Sequence, residues 1–363
     1  MNYIIIIIFF LVLLIFSTYI YKKVNNLLLE LFPKRRLKLF SFLIASIPII
    51  MSFTRNFSSF LVFLLYIVLL SIPIDILNIY FKKFNNNIWK KLHNLLIIPI
   101  ILSTILTFYG YYNAHNIQKI SYDVISHKEI KQDYKVALIS DLHFGTNFDL
   151  KSLKKQVDII SNENPDIVVL AGDIIDEQTP VDSYADIFNI LSNIKSQYGI
   201  YYVLGNHDEN RYIEPKDNRN IELNNSILKS NIKILKDSSH IINDDFIISG
   251  RIDYSYRQLG QRSSASEIIK NLDRNKFLMI LDHQPSQYKE NKNVGYDLQL
   301  SGHTHAGQIW PFGLITRTIG FDYGLLNEDK FNLIVSSGMG VWGPPVRTEE
   351  KSEYVIINIK KEI

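Results

Sequence analysis

The sequence predicts about four transmembrane helices followed by one α/β domain with a mixed sheet or two stacked sheets. Three observations carry this reading. Apolar residues crowd the first 115 of the 363 positions. Lys and Arg in that region are gathered between the apolar runs. From about residue 134, short apolar runs bounded by turn residues alternate with segments of helical period.

Segments 3–21, 38–54, 59–81 and 95–113 each approach or exceed the roughly 17–25 apolar residues that cross a hydrocarbon core. The second is the shortest and is compatible with a re-entrant segment. The first reads as a span and not a secretory signal: it has no basic n-region, its apolar core is long, and no A-x-A site follows. Residues 24–37 mix apolar and basic positions and read as an amphipathic stretch along the cytoplasmic interface. Lys22, Lys23, Lys34, Arg35, Arg36 and Lys38 separate the first two spans, and Lys82, Lys83, Lys90 and Lys91 separate the last two. Only Arg55 lies between the second and third. Basic loops stay cytoplasmic, so the N-terminus and the second domain face outward. Asp75 is an acid inside the third span, about two turns from Lys82 and Lys83. Pairing or hydration near the interface is the expected fate, with a functional role as the alternative.

The net charge of +3 hides two opposite regions. Residues 1–120 carry twelve Lys and Arg against Glu30 and Asp75, while residues 121–363 carry a net −7. The basic character is therefore a topology signal, and no nucleic-acid partner is expected. There are no cysteines, which excludes disulfides, thiolate metal sites and Cys nucleophiles.

Residues 1–115 form the helical region, 116–133 a linker and 134–363 the second domain. In the latter, 134–140, 165–172 and 200–205 read as buried strands, and 150–162 and about 181–195 as helices. Further strands are expected at 232–236, 245–250, 277–282, 297–301, 331–336 and 353–359.

Five motifs fall at the ends of these strands: Asp141-Leu142-His143, Gly172-Asp173, Gly205-Asn206-His207-Asp208, His283, and Gly302-His303-Thr304-His305. Sites in open α/β sheets collect beyond the carboxyl ends of strands. Carboxylate, imidazole and amide oxygen suit Mn, Fe or Zn. Five of the nine histidines fall in these motifs. Singly, Asp-x-His and Gly-Asp are ordinary turn sequences; the ordered set is what points to a two-metal site.

At these residues the sequence resembles the calcineurin-like metallophosphoesterase superfamily. Over about 134–359 it resembles the membrane-anchored bacterial branch of phosphodiesterases, which includes UDP-2,3-diacylglucosamine hydrolases of lipid A synthesis. The strings SGHTHAGQ (301–308) and GMGVWGPPVR (338–347) carry that narrower likeness. The resemblance implies a four-layer α/β/β/α sandwich binding two divalent metal ions. One would take Asp141, His143 and His305, the other Asn206, His283 and His303, with Asp173 bridging. His207 would be the catalytic histidine, oriented by Asp208. The reaction implied is hydrolysis of a phosphodiester or pyrophosphate by water activated between the ions, in a phosphorylated lipid or envelope precursor. No core position of the pattern is missing, which argues against a degenerate enzyme.

Arg251, Asp253 and Arg347 are candidates for substrate contact. Asp176 is a candidate acceptor behind the ligands. Trp310 and Pro311 are candidates for an apolar lip or for the core. Beyond the lipid bilayer and the substrate, no protein partner is expected. Competing readings are a UDP-2,3-diacylglucosamine hydrolase, whose substrate would be cytoplasmic, and a metal-dependent scaffold without turnover. A transporter or sensor is disfavoured by Asp75 being the lone intramembrane acid.

Overall fold

In the computed structural model, residues 3–33, 37–52, 59–84, 86–209 and 218–362 are described. The chain divides into two compact units, Met1–Tyr111 with Gly343–Val346, and Tyr112–Trp342 with Arg347–Ile363.

The first unit is helical: α1 (Tyr3–Leu31), α2 (Lys38–Ser52), α3 (Ser59–Phe81), α4 (Asn87–Asn94) and α5 (Ile97–His115), whose last four residues belong to the second unit. Among the described residues, two helical stretches are long and apolar enough to cross a membrane, Ser59–Phe84 and Ile97–His115. Helix α2 has 15 residues, short of the roughly 17 a span needs. The stretch expected to lie along the interface begins differently: Val24–Leu31 continues α1 without a break, because Leu27, Leu28 and Leu29 are strong helix formers with no breaker before Pro33. Lys34, Arg35, Arg36 and Arg55 lie outside the described residues. Asp75 is paired, as expected, but with other partners than Lys82 and Lys83. Tyr19 Oη donates to it at 2.6 Å, His93 Nε2 lies 2.9 Å away, and the Lys23 ammonium donates as well.

The second unit holds twelve strands among the described residues: β1 (Gln118–Ser126), β2 (Tyr134–Ile139), β3 (Ile167–Ala171), β4 (Ile200–Val203), β5 (Ile232–Ile234), β6 (Ser238–Ile241), β7 (Phe246–Gly250), β8 (Phe277–Leu281), β9 (Leu298–Ser301), β10 (Gly324–Glu328), β11 (Phe331–Val335) and β12 (Glu353–Lys361). They form two six-stranded sheets, ordered β1-β12-β2-β3-β4-β5 and β10-β11-β9-β8-β7-β6. Strands β2 to β5 are mutually parallel, as are β7, β8, β9 and β11.

Side chains alternate faces along a strand, and the cores follow that period. Val136, Leu138, Val169 and Val203 of one sheet share a core with Phe246, Ile248, Leu281 and Leu300 of the other. Their neighbours Ala137, Ile139, Val168 and Leu170 pack outward on α6 (Leu150–Asn162), α7 (Tyr184–Ser192) and α8 (Arg219–Lys229). On the far side, Ile247, Leu278 and Ile280 meet α9 (Ala265–Ile269) and α10 (Tyr288–Val294). The remaining helix, α11, spans Phe312–Ile319. Helices therefore flank two stacked sheets, and strands covered on both faces read as continuous apolar runs such as IVVLA and FLMIL. Helix α6 begins where Asp149 accepts from the Ser152 N–H at 2.7 Å in a reciprocal cap, and it buries Leu153, Val157 and Ile160 at helical spacing.

Half of the linker expected at 116–133 is strand. Gln118–Ser126 pairs in parallel with Glu353–Lys361 along nine positions. Ile120, Tyr122 and Val124 face inward while Lys119, Ser121 and Asp123 face solvent, the pattern of a half-covered edge strand.

Candidate metal centre

The parallel strands aim their C-terminal ends at one place. Asp141 and His143 follow β2, Asp173 follows β3, Asn206 follows β4, His283 follows β8, and His303 and His305 follow β9. Eleven non-glycine residues among those described have positive φ, and five are Asp141, His143, Asp173, His303 and His305. Such backbone costs of order 1–3 kcal/mol per residue and persists where the surroundings over-determine it. Two glycines allow the close approach this needs. A Cβ at Gly205 would stand 2.2 Å from Asp173 Oδ1, and one at Gly302 would stand 2.2 Å from Asp141 Oδ2.

Two clusters result. The donor atoms of Asp141, His143 and His305 lie within 4.8 Å of one another, and so do those of Asp173, His283 and His303. One atom links them: Asp173 Oδ2 is 3.0 Å from His283 Nε2 and 3.9 Å from His143 Nε2. Asn206 Oδ1 lies 3.2 Å from His283 Nε2. His143 Nε2 and His305 Nε2 face each other at 3.2 Å. Two imidazole lone pairs and a carboxylate converging at such distances repel unless a cation lies between them, so the donor set fits two metal ions.

Outer contacts fix the rings. His283 Nδ1 is 2.7 Å from the Ala171 carbonyl oxygen, which puts a proton on Nδ1 and turns Nε2 toward Asp173. His143 Nδ1 lies 3.4 Å from Asp176 Oδ2. That buried carboxylate also accepts from the N–H of Gln178 and of Thr179, so Asp176 stands behind the ligands. Burial would raise its pKa, but the His143 imidazole holds it below the ordinary value. Burial also pushes His303 down to about 4, with the charge on His283 adding to the effect. It pushes His305 well below its ordinary value, helped by His143 and Arg347. Neutral imidazole is the ligating form. Burial opposes ionisation of Asp173 too, yet His283 beside it keeps the carboxyl well below its usual range.

His207 sits at the edge. Its backbone N–H donates to Asp173 Oδ1 at 2.9 Å, and its ring lies 5.3 Å from that of His143 and 5.7 Å from that of Trp342. The group on its Nδ1 is Glu177, at 3.0 Å. Burial lowers the imidazole pKa, but the Glu177 contact outweighs this and raises it to about 9. Glu177 is a residue that sequence reasoning missed; the only signal was an acid four residues after Asp173. The orienting role expected of Asp208 is corrected accordingly. Its carboxylate accepts from four backbone N–H groups, those of Asp173 and Gly205 at 2.7 Å, Ile174 at 2.9 Å and Ile175 at 3.1 Å. It shapes the turn that presents Asp173.

The three substrate candidates are also placed differently. The Arg251 guanidinium is buried and donates to Asn291 Oδ1 at 3.0 Å and to the Ser263 carbonyl at 2.9 Å, with Asp282 at 3.7 Å. Asp253 is buried and accepts from Ser255 N and from Gln284 Nε2. Arg347 is buried and donates to the carbonyls of His305 at 3.0 Å and Gly340 at 2.7 Å. A charged group closed in by protein hydrogen-bond partners holds the fold, so Arg251 and Asp253 brace the interior and Arg347 holds a predicted ligand. Trp310 is 43% exposed, which removes the core reading.

A family model described as calcineurin-like phosphoesterase matches residues 134–307. An uncharacterized metallophosphoesterase of Campylobacter jejuni is 33% identical over 266 residues, covering 72% of this chain and 68% of the relative. One of Helicobacter pylori is 30% identical over 311 residues, covering 84% and 80%. A zebrafish protein named as a transmembrane protein with metallophosphoesterase domain is 27% identical over 281 residues, covering 73% and 62%.

Proposed function

The chain belongs to the calcineurin-like metallophosphoesterases, metal-dependent phosphoesterases, and from that premise we propose a membrane-attached enzyme that hydrolyses a phosphodiester or pyrophosphate in a lipid or envelope precursor. Asp141, His143 and His305 would hold one divalent ion, Asn206, His283 and His303 the other, and Asp173 would serve both. The observation that carries this is the single Asp173 oxygen set between His283 and His143. When bound, two such ions activate a water and neutralise charge on the phosphoryl oxygens. His207, kept protonated by Glu177, stands ready to stabilise or protonate the leaving oxygen. Asp176 and Arg347 keep His143 and His305 in place.

Membrane attachment rests on the two apolar helical stretches, with four spans and an outward domain as the arrangement read from the basic loops. An amphiphilic substrate follows from that attachment, since a tethered enzyme meets its substrates at the interface. The narrower identity, a UDP-2,3-diacylglucosamine hydrolase, draws on an interlock between the two strings that carry the resemblance. Gln308 Nε2 donates to the Trp342 carbonyl at 2.9 Å, and the Trp342 N–H donates to Gln308 Oε1 at 3.0 Å.

The deciding assay uses the full chain in detergent with a chromogenic phosphodiester and with UDP-2,3-diacylglucosamine, each with and without Mn²⁺. Metal-dependent turnover of the diester supports the phosphoesterase. Strict preference for the nucleotide lipid selects the narrower identity. A folded protein inert on both with every divalent metal leaves the scaffold reading.

A further inference from the structure

Scattered exposed apolar side chains are normal on a protein surface; a row of them is informative. Helix α11 carries such a row. Phe312, Ile315 and Ile319 recur at i, i+3 and i+7, which places them on one face, and they are 47%, 55% and 81% exposed. Trp310 precedes them, also exposed. Two polar residues of the helix are bonded back to the protein. Arg317 Nη2 lies 3.5 Å from Glu350 and its Nε 3.8 Å from Asp322, while Thr316 Oγ1 donates to Asp322 at 2.6 Å. The N–H of Gly313 donates to Glu349. An ordinary surface helix buries its apolar stripe; α11 exposes its own.

The segment that receives α11 also receives the end of α5. Asn113 Nδ2 donates to the carbonyls of Arg347 at 3.1 Å and Glu350 at 3.2 Å, and the Ala114 carbonyl accepts from Asn147 Nδ2 at 2.7 Å. The last turn of a helix long and apolar enough to cross a membrane is thus bonded to residues 347–350, and only two residues separate it from β1. Residues 347–350 thus hold both the last turn of α5 and α11, all within the second unit.

We infer that α11 lies in the membrane–water interface, its Phe312, Ile315 and Ile319 stripe seated among lipid acyl chains and Trp310 at headgroup level. The occupant is the bilayer itself, which matches an apolar stripe led by a tryptophan and a basic residue drawn back toward the protein. The site residues His303 and His305 precede α11 by a few positions, so this seating would fix the mouth of the metal centre at the interface. The inference rests on the membrane attachment proposed above and not on the identity of the substrate.

The test reconstitutes the full chain in phosphatidylcholine vesicles with brominated or plain acyl chains. Trp89→Phe and Trp342→Phe substitutions leave Trp310 as the single reporter among the three tryptophans. The expected result is a Trp310 emission quenched by the brominated chains, with the quench lost when Ile315→Asp and Ile319→Asp are added to a chain that still floats with the vesicles. Three results would overturn it. Unquenched Trp310 in a floated, monomeric chain removes the assignment and leaves membrane attachment intact. Unquenched Trp310 in a chain that crosslinks as a dimer gives the face to a second copy. A folded chain that does not float removes both attachment and interface seating.

Discussion

Asp75 in the helical unit and Asp173 in the catalytic unit are both faced by imidazole within about hydrogen-bond reach, but they differ in what surrounds them. Asp75 is closed by donors from its own chain: Tyr19, His93 and the Lys23 ammonium. That set bonds both carboxylate oxygens and supplies a counter-charge. Asp173 and its neighbour Asp141 have imidazoles as their ion-pair partners among the described residues. Burial keeps His303 and His305 neutral, so these rings bring lone pairs and no charge. A cluster that completes itself is a structural clamp. One that gathers buried carboxylates and neutral imidazole lone pairs is built for something supplied from outside.

The sharpest way to break this contrast is Asp173→Asn. Losing the shared carboxylate should abolish metal-dependent turnover and lower bound metal, read by elemental analysis of the purified chain. Unchanged metal content would refute the bridging assignment. Next is His207→Gln, expected to lower kcat by about 10²–10⁴-fold with metal content unchanged, since His207 lies outside both donor clusters. Asp176→Asn and Arg347→Lys disturb the supports of His143 and His305. They should weaken metal affinity by about 10–100-fold, read by titrating activity against Mn²⁺.

Glu177→Gln should act through pH. His207 is raised to about 9, burial opposing and Glu177 prevailing. If the imidazolium is the working form, activity falls as pH rises through that value. Without the carboxylate the fall should move toward the ordinary imidazole value of about 6.5. A pH–rate profile identical in both proteins would remove Glu177 from the mechanism.

The residues that converge on the candidate metal centre were legible because each follows a largely buried strand, and such strands announce themselves as runs such as YKVALI and FLMIL. Their supports were not. Arg251 was read as a substrate contact because a charged residue after a strand resembles a site residue. Its partners Asn291 and Glu290 lie about forty positions away, and nothing local foretells them. Asp208 was given to His207 by adjacency, yet successive residues in a turn point in different directions, and Asp208 faces the backbone N–H groups of 173–175. Strands β1, β6 and β10 were missed for a related reason. They lie at sheet edges, where one face or one ladder is open to water and the apolar pattern weakens. In the helical unit, Lys23 and His93 lie 52 and 18 positions from Asp75, so sequence proximity favoured the wrong lysines.

The smallest effect on catalysis is expected at Asp75, and it separates a clamp from a working acid. Asp75→Asn removes the charge while keeping the shape, leaving the Lys23 ammonium, 13% exposed, without its counter-ion. For a partly buried group this costs about 1–3 kcal/mol, so the thermal midpoint in detergent should fall. Lys23→Met combined with Asp75→Asn removes both charges while the amide oxygen still accepts from Tyr19, and should recover most of that loss, because no unpaired ammonium is left in a partly buried site. Neither variant should change turnover of a soluble diester or its metal dependence. If Asp75→Asn instead abolished activity toward a lipid substrate at unchanged stability, the Asp75 cluster would belong to the function, and completeness of hydrogen bonding would no longer distinguish the two carboxylates.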